Sequence, residues 1–115
     1  MKPTDQESRP ALRVWKIPAL ADAQQVAYDQ FFEIPAMSMG IYKLPAGGVD
    51  EQTPHAEDEA YYVLKGRAQI EVEGEIQTVE AGALIFVAAQ AQHRFIEIEE
   101  DLDLLVFFAP AHERS

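Results

Sequence analysis

The sequence predicts an all-β protein, a sandwich or barrel of short antiparallel strands, on three observations. From residue 38 onward, short apolar segments are separated by turn signals about every eight to twelve residues. Apolar and polar residues alternate over residues 68–73, which is the two-residue period of a half-buried strand. The chain has 115 residues, 48% of them hydrophobic, with no internal repeat or linker. That length is enough for one domain with its own core but too short for two.

The first third of the chain has the weaker patterns. Residues 1–10 are polar, which predicts a flexible tail ahead of a single domain formed by residues 11–115. Residues 11–17 are predicted as a strand. Residues 18–25 are rich in alanine and predict a helical turn, whereas residues 26–34 fit a strand and a helix equally well.

Beyond residue 38 the strands are defined by their apolar pattern and by the turns between them. Strands are predicted at residues 41–44, 60–64, 68–72, 76–79, 84–87, 94–98 and 102–108. Turns rich in glycine, proline or charged residues are predicted at residues 45–48, 65–66, 73–75 and 81–82. A barrel built in this way has an interior that can hold a polar site.

The charge balance excludes two classes of partner. Acidic residues outnumber basic ones by 20 to 9, and the net charge is −11. Phosphate backbones and anionic lipid surfaces repel such a protein, so neither nucleic acid nor a membrane is predicted as a partner. The acidic run over residues 97–103 predicts a solvated turn, because it lacks the spacing and central glycine of an EF-hand loop.

Cysteine usage and hydropathy predict a cytoplasmic location. The absence of cysteine excludes disulfides, thiolate metal sites and cysteine nucleophiles. The longest apolar runs, such as residues 81–89, are too short to cross a bilayer. Residues 1–10 lack the apolar segment of a signal peptide.

The residues most suited to chemistry are two histidines and a glutamate. His55 and Glu59 flank a turn-like segment, and a turn between two strands there allows both side chains to face the same side. His93 follows two further predicted hairpins. Two imidazoles and one carboxylate that converge inside a barrel make a common transition-metal site. The remaining histidine, His112, lies near the end of the chain and is not assigned to the site.

The spacing of these residues resembles the two sequence motifs of the cupin family. The first motif is Gly, five residues, His-x-His, three or four residues, Glu, six residues, Gly. In this chain it runs from Gly47 through Thr53-Pro54-His55 and Glu59 to Gly66, with Thr53 in place of the first histidine. The stretch that carries it, residues 47–66, keeps every spacing.

The second cupin motif is Gly, five residues, Pro-x-Gly, two residues, His, three residues, Asn. Over residues 82–97, Gly82 and His93 match this pattern. Ala88-Ala89-Gln90 and Glu97 stand in place of Pro-x-Gly and Asn. The short interval between the two motifs is similar to that of compact microbial cupins.

The resemblance implies a fold, a metal and an assembly. The fold is a double-stranded β-helix, a jelly-roll barrel of two antiparallel sheets, and the assembly is a homodimer. The matching residues His55, Glu59 and His93 are implied as ligands of one divalent transition metal, which is iron, manganese, nickel, copper or zinc. Because a hydroxyl is a weak ligand, the site has either three protein ligands or a fourth from a neighbour, with Gln52, Thr53 and Glu57 as candidates.

Each of these assignments has a structural alternative. A lone histidine among apolar residues is usually a hydrogen-bonded structural residue. Glu59 could pair with Arg67 or Arg94 instead of a metal. Glu57 is expected to be exposed at the tip of its turn.

Two aromatic residues are expected beside the metal. Tyr61 shares strand parity with Glu59, and Phe95 shares it with His93, so both should face inward. They would either pack the core or line a substrate pocket.

The function implied by the resemblance is metal-dependent chemistry on a small organic molecule, of a dioxygenase or isomerase kind. The alternative is a non-catalytic cupin that binds a sugar or another small molecule and has a degenerate metal site. Since one fold serves many functions, the sequence leaves open whether the protein is an enzyme.

Overall fold

The structure is a computed structural model that describes residues 11–112, so the predicted tail at residues 1–10 lies outside the described residues. The described chain is built mostly of β-strands and has one short helix, which confirms the all-β prediction. Its elements, in chain order, are α1 (Ile17–Ala23), β1 (Tyr28–Ile34), β2 (Met37–Leu44), β3 (Asp58–Val72), β4 (Glu75–Glu80), β5 (Leu84–Val87) and β6 (His93–Ala109).

The strands form an antiparallel, curled sheet in the order β1-β2-β6-β3-β4, with β5 also paired to β3. The long strands β3 and β6 pair from Asp58 opposite Ala109 to Val72 opposite His93. Along the same strand, β3 pairs first with β5 and then with β4. Register shifts between Val63 and Gln69 mark irregular pairing at which the long strands bend. This antiparallel arrangement agrees with the barrel that the motifs predict.

Two predicted turns are wrong because the long strands pass through them. The turn at residues 65–66 lies inside β3, where Gly66 has a φ of 102° and its missing side chain leaves room for β6. A Cβ there would collide with the carbonyl oxygen of Asp101. The acidic run at residues 97–103 is part of β6, and the positive φ of Glu97 marks an irregularity rather than a reversal.

The N-terminal part of the described chain differs from the prediction at one element. The strand predicted at residues 11–17 is wrong, since residues 11–16 are irregular and α1 begins at Ile17. The helical turn predicted at residues 18–25 is confirmed as α1, and the ambiguous segment at residues 26–34 contains β1. Trp15 packs edge-on against two aromatic rings of β1, which fixes this segment to the sheet.

The core is formed by buried side chains from β2 to β6. Tyr61 and Phe95 are fully buried and pack edge-on with ring centroids 5.1 Å apart. The other buried members of this core are Leu44, Val63, Ala68, Ile70, Val79, Val87, Ile98, Leu102, Leu104, Val106 and Phe108. Over residues 11–112, no helix has both the length and the apolar character needed to span a membrane.

Candidate metal centre

The three residues predicted as metal ligands converge in the structure. Glu59 lies near the start of β3, His93 begins β6, and His55 comes from the loop that precedes β3. One nitrogen or oxygen atom from each lies within 4.8 Å of the others. Glu59 and His93 are buried, whereas His55 is partly exposed. The pairing of β3 with β6 therefore brings the two motifs together at one end of the core.

The carboxylate of Glu59 is the most unusual group in this part of the molecule. Its Oε1 atom lies 3.1 Å from Nε2 of His93, but no donor from the described residues is aligned with either carboxylate oxygen. Arg67 and Arg94 form ion pairs with other glutamates, so the predicted alternative pairing of Glu59 with an arginine is wrong. A buried carboxylate without a donor is costly unless a cation neutralises it.

The ring of His93 is oriented as a metal ligand requires. Its Nδ1 atom lies 3.0 Å from the carbonyl oxygen of Ala91, which accepts a hydrogen bond from Nδ1–H, so that Nε2 is the unprotonated nitrogen of the neutral ring. Nε2 faces Glu59 and the hydroxyl of Tyr61, which lies 3.2 Å away. A backbone carbonyl that holds one ring nitrogen while the other faces a ligand position is typical of metal-binding histidines.

The two histidines have pKa shifts of opposite sign. Burial lowers the pKa of His93, but the contact with Glu59 and the hydrogen bond to Ala91 raise it more, so the pKa lies above its ordinary value. For His55, burial lowers the pKa more than the nearby glutamates raise it. Both follow from the balance between desolvation and nearby negative charge. Protons therefore compete with a metal for His93 at a higher pH than for His55.

The candidates for a fourth ligand behave differently from one another. Gln52 is turned into the site, with Oε1 at 3.0 Å from the Tyr61 hydroxyl and 3.4 Å from Nε2 of His55. Thr53 is exposed. Residues 51–55 have no regular secondary structure, so no strand alternation turns Thr53 towards the barrel interior.

The third candidate, Glu57, forms a pair with a histidine that the sequence analysis left out. Its side chain is only 12% exposed, and Oε1 lies 3.0 Å from Nδ1 of His112, so the expected exposure of Glu57 is wrong. The His112 ring stacks on Phe108 and meets the His55 ring edge-on, with centroids 4.6 Å and 5.0 Å apart. The register of β3 and β6 explains this contact, because Asp58 lies opposite Ala109. Sequence spacing alone carries no signal for it.

A cavity of about 180 Å³ opens onto two of the three candidate ligands, His55 and Glu59. Neither Tyr61 nor Phe95 is among the described residues that line this cavity. Both are packed in the core, where the Tyr61 hydroxyl supports Gln52 and His93 from behind. The residues that line the cavity are Tyr28, Tyr42, Gln52, His55, Glu59, Val106, Phe108 and His112.

Comparison with known proteins gives relatives in sequence and in structure. Residues 40–109 match the family of the Cupin domain, Cupin_2. An uncharacterized protein of Streptomyces coelicolor is 44% identical over 100 residues, which cover 87% of this chain and 95% of that protein. The structure of BH2720 from Bacillus halodurans is similar with a TM-score of 0.76 and 19% identity, over 96% of this chain and 89% of that one. TT1209 from Thermus thermophilus has a TM-score of 0.70 and 25% identity, over 87% and 99% of the two chains.

Proposed function

Since the chain belongs to the Cupin_2 family of cupin domains, we propose that it binds one divalent transition metal and acts on a small organic molecule beside that metal. The proposed ligands are His55, Glu59 and His93. The observation that carries the proposal is the buried Glu59 carboxylate, to which no described residue donates a hydrogen bond. A cation held between Glu59 and the two imidazoles would neutralise that charge.

The donor set fits a first-row transition metal. Two imidazole nitrogens and a carboxylate suit iron, manganese, nickel, copper and zinc, and the set leaves coordination positions open for a small molecule. A bound divalent ion would supply a Lewis acid that polarises an oxygen atom of that molecule. The Ala91 carbonyl holds the His93 ring in the tautomer that this role needs.

The cavity residues support binding of a small molecule with an apolar body. Tyr28, Tyr42 and Phe108 supply aromatic walls, and the described residues of the lining include neither lysine nor arginine. Such a site holds an apolar or aromatic group more readily than a phosphate. His112, whose Nδ1 atom lies 3.0 Å from Oε1 of Glu57, lines the same cavity and is the proposed proton acceptor. Tyr61 is unsuited to that role, because burial holds its pKa well above the ordinary value.

The proposed chemistry is of a dioxygenase or isomerase kind. The rival function is a non-catalytic cupin that binds a sugar or another small molecule over a degenerate metal site. The exposed Thr53, which replaces the first histidine of the family motif, favours this rival. Turnover of a small phenolic or hydroxy-carbonyl compound by the metal-loaded protein, lost in His55→Ala, would favour the enzyme. Tight binding of such compounds with no product would favour the rival.

Metal content is the primary test of the proposal. Purified protein is incubated with iron, manganese, nickel, copper or zinc, desalted, and analysed for bound metal. We expect about one ion per chain, since the three convergent ligands form one site. The matched pair of variants is Glu59→Gln, which should lose the ion, and Glu100→Gln, which removes an exposed carboxylate and should keep it. The proposal fails if wild-type protein takes up none of the five metals.

A cytoplasmic homodimer is part of the same proposal. Leu84 and Phe86 of the short strand β5 are 73% and 68% exposed, and burial of such side chains against a second copy would remove apolar surface from water. Sedimentation of wild-type protein and of Leu84→Glu/Phe86→Glu tests this. We expect a dimer for the former and a monomer for the latter, and a wild-type monomer would overturn the assembly.

A further inference from the structure

Asp50 is a buried carboxylate that the proposed metal set does not use. It lies in the loop between β2 and β3 and is only 5% exposed. Its Oδ1 atom accepts hydrogen bonds from the Tyr42 hydroxyl at 2.8 Å and from the backbone N–H of Gln52 at 3.3 Å. Its Oδ2 atom accepts from the side-chain amide of Gln52 and from the backbone N–H of Phe95, both at 2.8 Å. Asp50 therefore ties the loop before β3 to the start of β6.

These bonds set the orientation of the Gln52 amide. A glutamine amide carries a donor nitrogen and an acceptor oxygen on a nearly symmetric group, and its partners decide which way each faces. Both oxygens of Asp50 accept hydrogen bonds here, so Asp50 takes the amide nitrogen of Gln52. The amide oxygen consequently faces the other way, to 3.0 Å from the Tyr61 hydroxyl and 3.4 Å from Nε2 of His55.

We infer that Gln52 is the fourth metal ligand through Oε1 and that Asp50 is the positioning residue that turns this oxygen toward the metal. The inference rests on the proposed metal site and fills the position that the family motif gives to a histidine. A carbonyl oxygen has two lone pairs, so Oε1 can accept the Tyr61 hydroxyl and still bind a cation. Asp50 itself is no ligand, because four donors already occupy its oxygens.

The first test removes the ligand and its support separately. The dissociation constant of zinc or cobalt is measured by competition with a chelator for Gln52→Ala and for Asp50→Asn. We expect each variant to bind about 10- to 100-fold more weakly than wild type. In Asp50→Asn an amide group meets the Gln52 amide, donor against donor, so Oε1 loses its orientation. Asp29→Asn makes the same chemical change at an exposed position of β1 and should bind as wild type does.

The second test separates positioning from stability by reversing the polarity of the pair. In Asp50→Asn/Gln52→Glu, the asparagine amide donates to one glutamate oxygen and leaves the other facing the metal. We expect Gln52→Glu to improve affinity at least about tenfold more when it is combined with Asp50→Asn than when it is made in the wild-type protein. In every variant that contains Asp50→Asn, the Phe95 N–H faces an amide nitrogen, which cannot accept its hydrogen bond. The single variant Asp50→Asn and the double variant should therefore both have a lower melting temperature than wild type in metal-free protein. Affinity is thus restored while stability is not.

The outcomes distinguish this inference from the proposed function. If wild-type protein binds metal and Gln52→Ala binds equally well, the fourth ligand is overturned and the three-residue site stands. If Gln52→Ala weakens binding but the two substitutions at positions 50 and 52 act additively, the positioning role of Asp50 is overturned. Coupled effects, with visible absorption of the cobalt form altered in Gln52→Ala and unaltered in Asp29→Asn, support both parts. A wild-type protein that takes up no metal overturns the inference together with the proposed function.

Discussion

The candidate metal centre joins two regions that are held in different ways. Glu59 and His93 lie on β3 and β6, whose paired backbones fix both residues in the barrel wall. His55 and Gln52 lie in the irregular loop at residues 45–57. That loop has no paired strand and is held by separate hydrogen bonds, such as those that Asp50 accepts and the one from the Gln90 N–H to the His55 carbonyl oxygen at 2.7 Å. Substitutions in the two regions should therefore differ in their effects on metal and on stability.

The largest effect is expected from the strand residue Glu59. Glu59→Gln should weaken metal binding by more than about 100-fold, since it replaces the one negatively charged ligand of the site by a neutral amide. In metal-free protein the same variant should be more stable by about 1 to 3 kcal/mol, because a buried charge without a donor is replaced by a neutral amide. Chelator competition and urea unfolding measure the two quantities. A metal-free variant less stable than wild type would show that the carboxylate is satisfied without a cation.

The loop residue His55 should separate metal binding from stability. His55→Ala should also lose the metal, by about 100-fold or more, but the melting temperature of the metal-free protein should stay close to that of wild type. His93→Ala should lower both, because its ring is buried and bonded to Ala91. If His55→Ala and His93→Ala lowered the melting temperature of metal-free protein equally, the proposed difference between loop and strand residues would be wrong.

A smaller and graded effect is expected from pH. A metal binds only the neutral imidazole, and the pKa of His93 is raised, whereas that of His55 is lowered. As the pH falls, protons should therefore occupy His93 first, beginning above the ordinary histidine pKa of about 6.5. Below that point the affinity should fall about tenfold per pH unit until His55 also titrates. Isothermal titration with zinc between pH 8 and pH 5.5 measures the slope.

The control for that measurement is a variant that removes an exposed carboxylate outside the site. In Asp29→Asn the fall should begin at the same pH as in wild type, because Asp29 is exposed and has no part in the site. An affinity that stays constant from pH 8 to pH 5.5, with the fold intact, would be evidence against histidine ligation.

The difference between strand and loop also explains what the sequence could predict. The inward orientation of Glu59, Tyr61 and Phe95 follows from the two-residue period of strands, and all three are buried. The same rule is wrong for Thr53, because the chain there is irregular. A glycine after a charged residue, as at Gly66, is typical of a turn, yet β3 continues through this position. A glycine is required there because β6, which is distant in sequence, packs too close to leave room for a side chain.

The site residues that the sequence analysis missed depend on contacts between distant segments. Asp50 is one of many acidic residues, and only the structure shows that it accepts the backbone N–H of Phe95. His112 approaches His55 because β6 pairs with β3 along its full length. Motif spacing identifies ligands whose separation in the chain is constant, but it carries no information on residues outside the motif. A buried carboxylate and a histidine near the chain end therefore had no signal in the sequence.

The smallest effect is expected where the family motif would place a histidine. Thr53→His should change metal affinity by less than about twofold, because an exposed side chain on the irregular loop contributes no ligand. The double variant Gln52→Ala/Thr53→His sharpens the test, since an imidazole that reached the metal would restore the affinity lost with Gln52. We expect no such recovery in chelator competition. Recovery, or tightening of about tenfold in Thr53→His alone, would show that the side chain of residue 53 faces the barrel and reaches the metal. In that case the loop, like the strands, would follow the family pattern.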